Sequence, residues 1–104
     1  MEKARILIVE DERIIAHGLR ETLVHLGYTV VAAVPSGEEA VQKAAELSPD
    51  LVLMDIVLKG KMDGIEAAGW IRNGLGIPTI FITAYGEDEI LQRAKITEPF
   101  GFIL

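Results

Sequence analysis

Acidic side chains directly follow two of this chain's short apolar runs, and they are the residues most able to do chemistry. Glu10, Asp11 and Glu12 come after Ile6-Leu7-Ile8-Val9, and Asp55 comes after Leu51-Val52-Leu53-Met54. Another apolar run, 78–82, closes on Thr83 and Ala84. If the runs ending at Val9 and Met54 are neighbouring strands, Glu10, Asp11 and Asp55 converge on one small patch. Three carboxylates in such a patch cannot all stay ionised unless a cation neutralises them. Oxygen ligands without His or Cys favour a hard ion, magnesium above others, with several waters retained. One carboxylate is then left to act as a nucleophile, and an aspartyl phosphate is a covalent species such a group can form. The Thr83 hydroxyl could hydrogen-bond an incoming phosphoryl oxygen. A bland alternative stands beside this. A lone Asp after a strand is most often a turn or cap residue, and Asp11, Glu12 or Thr83 could each simply cap a helix. Three runs delivering oxygen ligands to one sheet edge favour the chemical reading.

The elements that must position these residues alternate along the chain. Residues 5–9, 28–34, 51–54, 78–82 and 102–104 are short blocks of mostly apolar residues, which suits strands covered on both faces of a parallel sheet. Between them the spacing turns helical. Ile15, Leu19, Leu23 and Leu26 recur every three or four residues, with Arg13, Arg20 and Glu21 between them. Ser36-Gly37-Glu38-Glu39 reads as a capping box opening a second helix whose apolar side is Ala40, Val41, Ala44 and Leu47. Residues 64–73 predict a third helix, closed by Gly74 and Gly76, and 87–95 a fourth. Right-handed crossovers in such a β-α alternation put helices on both sides of one parallel sheet, and ligands gather beyond the carboxyl ends of its strands.

Composition narrows the function classes. The 104 residues suffice for one domain, half of them are hydrophobic and a quarter charged, and there is no cysteine. That is globular composition with no disulfide framework, thiol catalyst or thiolate zinc site. The net charge of −6 opposes a nucleic-acid surface, whose phosphates it would repel. No apolar run approaches the roughly 20 residues of a membrane helix, and the start resembles no signal peptide, so a cytoplasmic address and no membrane partner are expected.

Four ordered motifs make the chain resemble the response-regulator receiver domains of two-component systems. They are Ile8-Val9-Glu10-Asp11-Glu12, Leu53-Met54-Asp55, Met62-Asp63-Gly64-Ile65-Glu66 and Ile82-Thr83-Ala84. The likeness runs from end to end. It implies a flavodoxin-like, doubly wound sheet of five parallel strands in the order 2-1-3-4-5, with Asp55 as the phosphorylation site. It further implies that Glu10, Asp11, Asp55 and the backbone carbonyl of Val57 hold Mg2+. Thr83 matches the switch hydroxyl, and Phe102 matches the aromatic whose rotamer follows it. The implied partners are a sensor histidine kinase as donor, and a downstream effector domain or a second copy on the face of helix four and strand five.

Two departures from the family pattern stand out. The family carries a Lys after its fifth strand; Glu98 precedes that strand, so the Lys would be the residue after Leu104. The reading is therefore a receiver domain over 1–104, cut before the Lys and the fifth helix. In the loop after Asp55, Ile56-Val57-Leu58-Lys59-Gly60-Lys61 lacks the usual Pro and runs one residue long, with Gly60 giving turn freedom. An apolar Val57 and a bulky Tyr85 beside the phosphoryl site would hinder an attacking water and lengthen its lifetime.

Other residues are read as ordinary. His17 and His25 lack a two-ligand helical spacing, His25 suits the carbonyls of a helix end, and Trp70 is read as packing. Gly74-Leu75-Gly76 and Gly60-Lys61 are turn glycines rather than phosphate loops. Two competing functions are set against the phosphoacceptor. A phosphorylation-independent interaction module is opposed by the intact Glu10, Asp11, Asp55 and Thr83. A phosphatase with an Asp nucleophile needs a second Asp two residues on, where this chain has Val57.

Overall fold

The computed structural model describes residues 3–56, 58 and 62–82, and the backbone of 101–103. Strands β1 (Arg5–Val9), β2 (Thr29–Val34), β3 (Leu51–Asp55) and β4 (Thr79–Ile82) lie in the order 2-1-3-4, all parallel, and Gly101–Ile103 adds along β4 as β5. Helices α1 (Arg13–His25), α2 (Gly37–Leu47) and α3 (Gly64–Trp70) fill the crossovers among the first four strands. This is the α/β flavodoxin-like class with a parallel sheet. The expected fourth helix at 87–95 lies outside the described residues.

Why β1 and β3 occupy the centre follows from their sequences. Ile6, Leu7, Ile8 and Val9 are all buried, as are Val52, Leu53 and Met54, so neither face of these strands meets water. On one face Leu7, Val9, Val52, Met54 and Phe81 join Ala40 and Ala44 of α2 and Ile65, Ala67 and Ala68 of α3 in a single core. Small alanines on both helices let their backbones approach the sheet closely.

Helix boundaries carry local causes. Ser36 caps α2, its Oγ accepting from the Glu39 N–H at 3.2 Å, as the capping box predicts. Asp63 caps α3, its Oδ1 accepting from the Glu66 N–H at 2.9 Å. That helix does not continue as a regular α-helix to residue 73. It widens after Trp70 into a π-helical turn, Ile71–Leu75, where Asn73 and Gly74 are poor helix formers, and ends at Gly76 with φ of 70°.

Two packing expectations are corrected. Trp70 is 63% exposed: Ala67, Ala68 and Ile71 form the buried side of the helix and leave the indole outside it. Helix α1 forms where its periodicity predicts but contains no buried residue; Leu19 and Leu23 are half-buried, and Ile15 and Leu26 are exposed. Its apolar stripe is real, but less of it is covered than its spacing suggests.

Candidate functional site

Sheet register alone brings the acidic residues together. Val9 pairs with Met54, so the next residues, Glu10 and Asp55, stand side by side where β1 and β3 end. The Glu10 N–H still bonds to the Val34 carbonyl at 3.0 Å, which fixes the backbone at this edge. Asp11 is the next residue along, before α1 begins. Each of Glu10, Asp11 and Asp55 can offer a carboxylate oxygen within 4.8 Å of the others.

The cluster is electrostatically strained. Glu10 is buried while Asp11 and Asp55 are half-buried. Burial pushes the Glu10 carboxyl from 4.5 up to about 7; the charge of Asp55, a hydrogen bond to it and the charge of Asp11 push the same way. The Glu12 N–H, donating to Glu10 Oε1 at 3.2 Å, works against them. Glu12 is thus the N-cap of α1 by backbone position, but its side chain makes no capping bond. An open groove runs from Glu10 and Asp11 past Arg13, Ala16 and Pro35 and gives the carboxylates access to solvent.

The other expected site residues are placed less fully. Asp55 pairs with Ile82, and Thr83, Val57 and Tyr85 lie outside the described residues. Phe102 is described in backbone only, opposite Phe81 in the β4–β5 pairing. His17 lines the same groove as Glu10 and Asp11, exposed on α1, where it pairs with Glu21 at 3.1 Å.

Two further residues shape the site in ways their spacing did not disclose. Gly64 opens α3 directly against the backbone of Asp55 and Ile56: its N–H bonds to the Ile56 carbonyl at 3.1 Å, and a Cβ on it would overlap the Asp55 carbonyl oxygen. Glu38, read from sequence only as part of a helix start, accepts the Met62 N–H at 2.8 Å across 24 residues. The Met62-Asp63-Gly64 motif pointed to the first of these. Nothing local points to the second.

Comparison with known proteins decides the family. The family model for the response regulator receiver domain matches residues 6–104. The chain belongs to the response-regulator receiver family. This receiver is 38% identical over 100 residues to the transcriptional regulatory protein PdtaR of Mycobacterium tuberculosis, covering 96% of this chain and 48% of that one. It spans about half the length of the curated relatives it matches. Among solved structures, the signal receiver domain of a modulated diguanylate cyclase from Desulfovibrio desulfuricans G20 superposes with a TM-score of 0.93 at 46% identity, covering 97% of this chain and 80% of that one. CheY of Borrelia burgdorferi, in a complex with CheX, beryllofluoride and magnesium, gives a TM-score of 0.89 at 28% identity, covering 97% and 77%. No helix among the described residues is long and apolar enough to cross a membrane.

Proposed function

We propose that this receiver accepts a phosphoryl group on Asp55, with magnesium held by Glu10, Asp11, Asp55 and the Val57 carbonyl, and that a sensor histidine kinase is the donor. The observation that carries the reading is the meeting of Glu10, Asp11 and Asp55 at one sheet edge, with Glu10 pushed up to about 7. An all-oxygen set with excess negative charge fits a hard divalent cation, which would offset the burial and the neighbouring charges that raise Glu10. When bound, magnesium supplies charge neutralisation for the phosphoryl oxygens.

The chain's own residues do the rest. Asp55 presents a carboxylate oxygen at the end of a rigid central strand, with Gly64 packed behind its carbonyl. That oxygen attacks phosphorus; the new O–P bond forms as the donor's P–N bond breaks, and the imidazole leaves with the electron pair. The Thr83 hydroxyl then hydrogen-bonds a phosphoryl oxygen and draws the end of β4 toward the site. Phe102 on β5 follows, and the surface of helix four and β5 carries the change to an effector domain or a second copy. An apolar Val57 and a bulky Tyr85 hinder an attacking water and prolong the phosphorylated state. A cytoplasmic site of action follows from a kinase donor of this kind.

Beryllofluoride, which sits on a carboxylate oxygen in place of a phosphoryl group, tests the site. Fluorine NMR should show one bound species that requires magnesium and is absent from Asp55→Asn. A bound signal that persists in Asp55→Asn, or forms without magnesium, would contradict the assignment.

A further inference from the structure

We infer that Glu38 is a positioning residue for the phosphoacceptor, acting through the segment Met62–Gly64; the inference deepens the proposed function and rests on it. Three contacts connect Glu38 to Asp55. The Glu38 carboxylate accepts the Met62 N–H at 2.8 Å. Beside it Gly37 lies so close to Met62 that a Cβ would stand 2.7 Å from its carbonyl oxygen and 3.1 Å from its Cγ. Two residues on, Gly64 donates to the Ile56 carbonyl at 3.1 Å and leaves no room for a Cβ against the Asp55 carbonyl. The start of α2 therefore holds Met62, and the segment beginning at Met62 holds the backbone of the nucleophile.

The charge of Glu38 suits the task. A carboxylate accepts an N–H more strongly than a neutral oxygen does, and this one fixes a backbone donor outside any regular ladder. Ser36 and Asp63 already cap the two helix starts, so Glu38 is not needed as the cap of α2. Its bond ties the first turn of α2 to Met62, in the loop that joins β3 to α3. Loosening that tie lets Gly64 retreat from Asp55 and spreads the carboxylate geometry that metal and phosphoryl group require. Small displacements of this kind are costly to metal affinity and to transfer.

The test compares Glu38→Ala, Glu38→Gln and Ser36→Ala with the parent chain, at a temperature where circular dichroism shows all four folded. Three quantities are read: amide hydrogen exchange at Met62 and Gly64, magnesium affinity, and the rate of phosphorylation by acetyl phosphate. Glu38→Ala should raise exchange at both amides and weaken magnesium binding and transfer by about three- to tenfold. Glu38→Gln, which keeps an acceptor oxygen, should recover most of the loss. Ser36→Ala removes a cap of the same helix and should leave all three readouts near the parent. Parent-like behaviour of Glu38→Ala, or an equal loss in Ser36→Ala, overturns the positioning role while leaving Asp55 as acceptor. Should neither the parent chain nor a version extended through a Lys after Leu104 accept a phosphoryl group, the acceptor reading fails; raised exchange at Gly64 in Glu38→Ala would then uphold the tie to the Asp55 backbone, and unchanged exchange would refute it.

Discussion

Gly64→Ala should destabilise the domain by about 3 kcal/mol and slow phosphorylation of Asp55 by about a hundredfold. The cause is a single methyl group. A Cβ at this position falls on the Asp55 carbonyl oxygen and within 3.0 Å of the Ile56 Cα, so it meets backbone that cannot rotate aside. Either α3 withdraws from the sheet or the end of β3 bends. Withdrawal also strains the 3.1 Å bond from the Gly64 N–H to the Ile56 carbonyl, and bending moves Asp55. Asp63→Ala separates this effect from damage to the helix start. It removes the cap on the Glu66 N–H, at a cost of about 1 kcal/mol, but leaves the approach of Gly64 intact. Urea unfolding and phosphorylation rate, measured on both variants, should show a large loss of each for Gly64→Ala and a small loss of stability alone for Asp63→Ala. Equal phosphorylation rates in the two would mean that the close approach does not govern the acceptor.

The second large effect is a pH dependence that reverses when magnesium is added. In the metal-free domain Glu10 is raised from 4.5 to about 7, because burial, then the neighbouring Asp55 and Asp11, favour its protonated form. The folded state therefore binds more proton than the unfolded state between those two values. Stability from this group is fully present below about 4.5 and is lost as pH rises through about 7. The loss is on the order of 2 kcal/mol once exchange with solvent at the half-buried neighbours is allowed for. Glu10→Gln has no proton to lose, so the parent's stability minus the variant's should fall across that window and then level off. Magnesium acts with the opposite sign, since it needs Glu10 ionised: its stabilisation of the parent should grow as pH rises through about 7 and release a proton on binding. Chemical unfolding at a series of pH values, with and without magnesium, checks both slopes. A parent-minus-variant difference that does not change with pH would show that Glu10 titrates normally.

Much of this was legible in the residues because the relevant chemistry is local to strand ends. Uninterrupted apolar blocks at 6–9 and 51–54 predict doubly covered, central strands, and the burial of both follows. Once those strands are neighbours, register brings Glu10 beside Asp55 without further information. Ser36 and Glu39 form their helix start because capping is decided within four residues. What sequence spacing could not disclose depends on contacts between distant segments. Trp70 reads as packing, but the backbone rotation of α3 assigns the buried positions to Ala67, Ala68 and Ile71. The stripe of α1 gives the helix and its orientation, whereas the extent of its burial depends on what else covers that side of the sheet. Glu38 and Met62 meet across 24 residues, and no periodicity relates them. Gly64 was visible as part of a family motif, but its steric role appears only when α3 is seen to start against the Asp55 carbonyl.

The central claim is that Asp55 takes the phosphoryl group, and intact mass tests it most directly. The chain is incubated with acetyl phosphate, with and without magnesium, beside Asp55→Asn and beside a version extended through a Lys after Leu104 and a further helix. The account predicts a phosphoryl-sized gain that needs magnesium and is absent from Asp55→Asn, with the extended version gaining it faster. No gain in either length of chain, with magnesium binding confirmed, would contradict it and leave an interaction module built on the receiver fold.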